Sequence, residues 1–317
     1  MVVPTFARPE ALERCLRALG EQTRPADEII VAHRPEDEPT NALLASWALA
    51  GLPLRRATAG PGLVASNNAG LEVAGGDVIA ITDDDARPAA DWLERIVETF
   101  SQDERIAAVG GRDWIWQAGE WVEGDGEPEV GRVQRFGRVV GNHHVGAGPP
   151  RDVDVLKGVN MSLRRSALGP LRFDERLRGR GTQMNTELGV CLALRSSGFR
   201  VVYDPSIRVD HFPAERPGGD QRAAPSFDAT VDTVHNETLA LLEFLPPPRR
   251  LLFAAWSVLI GARGAPGLAQ MVRLALSGQP SWTDLRATLY GRWLGWRTYR
   301  RSMCSLPPRI RAAHGGA

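Results

Sequence analysis

GLVASNNAGLEVAGGDVIAITDDD, residues 62–85, runs from a helical pattern interrupted by small residues, through an apolar run, into three consecutive acids. Neighbouring like charges repel, and a helix start needs only one Asp to cap it. The next stretch, PAADWLERIVETF (88–100), is such a helix, with its apolar residues on one face. A short apolar run flanked by helical patterns marks a strand buried in a parallel sheet. In sheets of that kind ligands bind beyond the carboxyl ends of the strands. Asp83, Asp84 and Asp85 occupy such an end.

The alternation extends in both directions. Upstream, MVVPTF (1–6), DEIIVAH (27–33) and PLRRATA (53–59) read as strands. Between them lie helical patterns in RPEALERCLRALGEQ (8–22) and TNALLASWALAG (40–51), the first with Leu12, Cys15, Leu16 and Leu19 on one face and Pro9 suited to a first turn. IAAVGG (106–111) supplies a fifth strand. This βαβα order predicts an α/β fold with a Rossmann-like, mostly parallel central sheet and helices on both faces. Residues 112–150 are Gly-rich and read as irregular hairpins. Alternation resumes with VDVLKGVNMSLRR (153–165, strand-like), TELGVCLALRSSG (186–198, helix) and FRVVYDPSIRVDHFP (199–213, strand). ERPGGDQRAAPS (215–226) reads as a linker, and helical patterns follow to about residue 303. The expected organisation is an α/β domain over 1–227 and a helical segment over 228–317.

Formal net charge is zero, but residues 1–227 carry 27 basic and 33 acidic side chains, whereas 228–317 carry 11 and 5. A basic C-terminal segment on an acidic body points to a membrane surface, the body itself or a second subunit as its partner. The acidic body and the lack of a recognised motif argue against nucleic acid. Cys15, Cys191 and Cys304 are too dispersed for a disulfide framework or a zinc site. Cys15 and Cys191 lie in apolar helical patterns and read as buried small hydrophobes. No leader pattern opens the sequence. The longest uncharged apolar run, residues 251–262, is shorter than the roughly 20 residues of a span. The expectation is a cytoplasmic protein, peripheral at most on the inner membrane face.

Three readings of the acids are open: a solvated turn with a cap, a paired-acid site such as a phosphatase uses, and a magnesium or manganese site. Hard divalent cations take carboxylate oxygens together with substrate phosphates. Acids at i and i+2 of a strand end share a side, leaving the middle one to point elsewhere.

Three stretches, in order, resemble one family. VVPTFARPEALERCLRALGEQTRPADEIIV is similar to the opening strand–helix–strand of the inverting glycosyltransferases of family 2, which have the GT-A fold. GLVASNNAGLEVAGGDVIAITDDD resembles their DxD-type metal segment, and residues 156–213 their acceptor-side half. The resemblance implies transfer of a sugar from a nucleotide-diphosphate donor to a glycan or lipid-linked acceptor, as in polysaccharide biosynthesis, with Mn2+ or Mg2+. It implies Asp83 and Asp85 as metal-binding acids, Asp83 or Asp84 toward the donor ribose, and His211 closing the metal site from a late strand. Glu187, in TELGV, stands where relatives carry the base that takes the acceptor proton. Pro4 and Thr5 match the donor-pocket wall, and Asn160 in KGVNM matches the floor of the sugar pocket. His33 and Arg34 stand where paired acids usually meet the nucleotide, and Asn67 and Asn68 stand where a basic residue usually precedes Asn. A non-catalytic sugar-nucleotide-binding relative or assembly subunit is the alternative from another class. A nucleotidyltransferase is disfavoured because no Gly-rich basic loop follows the first strand.

Trp114 and Trp116, two apart on a strand, share one face and are candidates to stack on an acceptor sugar. HNETL (235–239) reads as helix-surface polarity. The interleaved Arg and Trp of YGRWLGWRTYRRS (290–302) suit a helix lying on anionic lipid, or a subunit contact.

Overall fold

Helix α1 (Pro9–Gly20) begins with Pro at its first position and Glu10 in its first turn, and buries Leu12, Cys15, Leu16 and Leu19 along one stripe. The computed structural model describes residues 1–46, 49, 51–124, 126–179, 181, 183–214, 226–278 and 282–305. Strand β1 (Val2–Pro4) precedes α1, and β2 (Ile29–His33), α2 (Glu38–Ala45), β3 (Leu54–Thr58), α3 (Leu63–Val73) and β4 (Val78–Ile81) follow. Helix α2 starts earlier than its apolar pattern indicates, because the Asp37 side chain accepts from Thr40 N and caps it. Helix α3 is continuous; its small residues bring it close to the sheet rather than interrupt it. A Cβ on Gly70 would stand 2.3 Å from Val2 Cγ1.

Next come β5 (Ala86–Pro88), α4 (Trp92–Ser101), β6 (Ile106–Gln117) and β7 (Glu120–Trp121). The fifth strand of the sequence reading is thus longer than IAAVGG: it continues through RDWIWQ and turns back on itself, pairing Trp116 with Trp121. Short strands β8 (Arg132–Val133), β9 (Val139–Val140) and β10 (Arg151–Asp152), a 3-10 turn at Gly158–Asn160, β11 (Met161–Arg164) and α5 (Arg165–Leu168) lead to α6 (Thr186–Ser196) and β12 (Arg200–His211).

The sheet runs β10-β12-β6-β11-β4-β1-β2-β3. Pairs β1–β2, β2–β3, β1–β4 and β6–β12 are parallel. Strand β11 lies antiparallel between β4 and β6, and β10 runs antiparallel to β12 at the edge, so the sheet is mixed, with parallel pairing over β4-β1-β2-β3 and between β6 and β12. Helices α1 and α4 cover a core that includes Leu12, Leu16, Val31, Trp92, Ile96 and Val109. Cys15 and Cys191 are fully buried, as expected of small apolar side chains.

The chain divides into two compact units, one of Met1–Arg132, Val140–Glu175 and Val190–Gly219, the other of Val133–Val139, Arg176–Gly189 and Asp220–Ala317. The second unit holds α7 (Phe227–Phe244), α8 (Pro247–Leu259), the hairpin β13 (Gly261–Ala262) and β14 (Ala265–Pro266), α9 (Leu268–Leu276) and α10 (Trp282–Ser305). Helix α7 is buried, which corrects the reading of HNETL as surface polarity. His235 Nε2 meets Thr298 Oγ1 at 2.9 Å, and Asn236 bonds the Arg178 N–H and the Arg178 and Met184 carbonyls. Buried polar groups need such partners. Residues 215–225 of the expected linker and the Cys304 side chain lie outside the described residues. Among the described residues no helix is long and apolar enough to cross a membrane.

Candidate functional site

Parallel pairing of β1 with β4 makes both strands leave the sheet on one edge, so Pro4 and Thr5 emerge beside Thr82 and the three acids. Antiparallel pairing of β12 with β5 sets His211 opposite Ala86. Phe212 N then donates to Asp85 O at 2.9 Å. That backbone register, not side-chain affinity, brings His211 to Asp85 across 126 positions of sequence (211 − 85). Asp83, Asp85 and His211 each offer one ligand atom, all within 4.8 Å of one another.

The middle acid points elsewhere. Asp84 is fully buried, accepts from Thr5 Oγ1 at 2.7 Å and faces Arg8 Nη2 at 2.7 Å. It has no exposed surface with which to meet a donor, so its expected place at the ribose is corrected to an anchor of β1 and Arg8. Arg8 also donates to Asp85 Oδ2 at 3.1 Å, and Ala214 N donates to the same oxygen at 2.9 Å. Asp85 Oδ1 lies 3.4 Å from His211 Nε2 and is buried with no hydrogen-bond partner among the described residues. A buried oxygen without a hydrogen is costly unless a cation meets it. Two carboxylates and an imidazole suit Mn2+, and the carboxylates alone suit Mg2+. The donor set therefore fits a divalent cation.

Electrostatics separate the three acids. Burial pushes Asp84 up to about 7, only partly offset by Arg8. Burial, then the charge of Asp85, raises Asp83. Burial opposes ionisation of Asp85 too, but the His211 imidazole, Arg8 and the Ala214 N–H outweigh it and hold the group at about 2. Asp85 is thus the most acidic of the three. Cys15 lies beneath, its thiol raised well above the usual range by burial and then by the acids, which keeps it unreactive.

Other expected donor residues divide in two. His33 closes β2, buried, its Nδ1 3.0 Å from the Arg34 carbonyl, and the Arg34 guanidinium stacks 3.8 Å from the Phe6 ring centroid. Asn67 is buried with its Oδ1 unpartnered among the described residues. Asn68, by contrast, uses both edges of its amide on the Phe173 backbone. Asn160 is 1% exposed and fully engaged: its Oδ1 accepts from Trp92 Nε1 at 2.9 Å and its Nδ2 donates to Ile207 O at 2.8 Å. It ties β12 and α4 together and cannot bond a sugar hydroxyl, which corrects that expectation.

Trp114 and Trp116 share a face as the spacing indicates, and both pack edge-on against Trp121, which also meets Phe212. Arg112 and Arg208 lie over the Trp114 ring. Glu187 sits in the first turn of α6 in the second unit, where Thr186 Oγ1 donates to its Oε2 at 3.0 Å.

The sequence reading missed Arg8, Asp113 and Lys157. Asp113 is fully buried beside the His211 ring, its Oδ2 4.0 Å from Nδ1, and pairs with Lys157. One signal was present: Lys157 is the single lysine among 37 arginines.

The model of the family described as "Glycosyl transferase family 2" matches residues 1–167. A glucosyl-dolichyl phosphate glucuronosyltransferase of Haloferax volcanii is 30% identical over 158 residues, 47% of this chain and 47% of the relative. Glycosyltransferase AglE of the same organism is 29% identical over 105 residues, 32% of this chain and 34% of that one. The matches thus span about half and about a third of these relatives' lengths. Among solved structures, mannosyltransferase PcManGT from Pyrobaculum calidifontis, with GDP-Man and Mn2+, superposes with a TM-score of 0.54 at 18% identity, over 95% of this chain and 86% of that one. GalNAc-T7 with UDP, GalNAc and Mn2+ gives 0.58 at 15%, over 99% and 57%. Residues 1–349 of S. aureus TarS with UDP-GlcNAc give 0.58 at 12%, over 95% and 91%. The shared feature is the GT-A fold.

Proposed function

From the premise that this chain belongs to glycosyl transferase family 2, we propose that it is an inverting, divalent-metal-dependent enzyme. It moves a sugar from a nucleotide-diphosphate donor to a hydroxyl of a glycan or lipid-linked acceptor. The carrying observation is the meeting of Asp83, Asp85 and His211 at one sheet edge. Mn2+ in two of the structures similar to it, and the dolichyl phosphate named for one relative, support the cofactor and a lipid-linked acceptor.

In this reading Asp83, Asp85 and His211 hold Mn2+ or Mg2+. When bound, the cation supplies the positive charge that stabilises a departing diphosphate. Arg8 fixes Asp85 and keeps Asp84 turned away. Pro4, Thr5, His33, Arg34 and Asn67 form the donor wall, and Trp114 and Trp116 offer the acceptor an aromatic face. Glu187 removes the acceptor hydroxyl proton as that oxygen attacks the anomeric carbon. The residues given these roles all lie within 1–227, the expected catalytic domain, and 228–317 is the expected helical domain, to whose compact unit residues 133–139 and 176–189 also belong.

A thermal-shift panel of GDP- and UDP-sugars with and without Mn2+ identifies the donor, since binding raises stability by mass action. Glu187→Gln keeps the donor shift and loses on the order of 10²–10⁴ in turnover, the range for a positioned base. Turnover near wild type removes Glu187 from the mechanism.

A further inference from the structure

Of fifteen exposed large apolar side chains among the described residues, twelve fall between Leu251 and Trp296, in the second unit. Their spacing is regular. On α8, Leu251, Leu252, Ala255, Val258 and Leu259 stand on one face, three and four apart, all exposed. On α9, Leu268, Val272 and Leu276 repeat the pattern, with Leu276 85% exposed. An open groove of about 250 Å³ between Met271, Leu276, Trp282 and Leu285 continues it. Scattered exposed leucines need no explanation, but ordered stripes on successive helices do.

Charge identifies what covers them. Residues 244–303 contain nine arginines and one acid, Asp284. Three of the arginines serve the fold: Arg292 is buried on Glu237, Arg249 bonds carbonyls of residues 133–135, and Arg250 bonds Tyr299. Arg263, Arg273, Arg286, Arg297, Arg300 and Arg301 are exposed and make no ion pair among the described residues. On α10, Arg286, Tyr290, Trp293, Arg297 and Arg300 fall on one face, with Arg297 over the Trp293 ring and Arg300 over the Trp296 ring. Aromatic rings capped by guanidinium groups are apolar below and cationic above, which matches the headgroup region of a bilayer. A two-fold contact with a second copy would set arginine against arginine.

We propose that α8, α9 and α10 form a peripheral docking surface for an anionic lipid bilayer. Leucine and valine stripes enter the acyl boundary, and the arginines meet lipid phosphates. This inference is independent of the catalytic reading.

The test is sedimentation of the full chain with vesicles of phosphatidylcholine alone or mixed with phosphatidylglycerol, with tryptophan emission recorded on the same samples. Binding to the mixed vesicles, a blue shift, and loss of binding with rising salt are expected. Removing the apolar anchor in Leu251→Asp/Leu276→Asp abolishes the blue shift. Arg297→Gln/Arg300→Gln weakens partitioning by about fivefold per arginine. All four positions are exposed, and unchanged melting of the variants verifies the fold. Failure of the wild-type chain to bind mixed vesicles at low salt overturns the proposal. So does a dimer in light scattering that the Leu→Asp pair disrupts while vesicle binding is unaffected.

Discussion

Asn160 joins three parts of the chain: it accepts from the Trp92 indole and donates to the backbone carbonyls of Ile207 and, at 3.4 Å, Arg112. Asn160→Ala strands a buried indole N–H and a buried carbonyl, each worth about 1–3 kcal/mol when unpaired. The expected loss is about 2–4 kcal/mol in denaturant unfolding, with donor affinity of the folded protein unchanged. A selective loss of donor affinity with stability intact would instead return Asn160 to the sugar pocket. The three acids were legible because adjacent like charges at a strand end are hard to explain by a turn alone. His211 was legible only through the family resemblance, since no local pattern links it to Asp85. Arg8 and Asp113 were not legible, because their partners lie 77 and 44 positions away.

Gly70 sets the distance between α3 and β1, and with it the height at which the helix crosses the strand carrying Pro4 and Thr5. A methyl added there meets Val2 Cγ1 at 2.3 Å. Gly70→Ala is therefore destabilising by about 1–3 kcal/mol through overpacking, despite the better helix propensity of alanine. Val2→Ala in the same chain recovers part of the loss, since the two side chains compete for one space; additive losses in thermal unfolding would contradict the contact. Elements with clear periods, such as α1 and α4, were legible to within a few residues. Strand β5 was not: three residues carry no period, and Ala86–Pro88 becomes a strand only because β12 returns to pair with it. The same dependence on distant pairing extended β6 through Gln117. At Gly111 a Cβ would fall 2.0 Å from Ile207 O, so glycine admits the bulged crossing of β6 and β12 that leads to Asp113 and His211.

At the scale of the whole molecule the chain separates a sheet unit from a helical unit, and the helical unit takes in residues 133–139 and 176–189 as well as the C-terminal helices. Those inserted segments carry no break in composition, so contact alone defines them. The sheet unit explains why three ligand atoms meet: two parallel strands end together, and a late antiparallel pairing delivers the imidazole. On the reading proposed above, Asp83, Asp85 and His211 make one divalent-cation site. Titrating Mn2+ into wild type, Asp85→Ala and His211→Ala, and following free Mn2+ by its electron paramagnetic resonance signal, tests that claim without requiring the donor or acceptor. One saturable site is expected in wild type, weaker binding in His211→Ala and none in Asp85→Ala, with melting curves confirming that each variant is folded. Superimposable Mn2+ isotherms for the three folded proteins would contradict that reading.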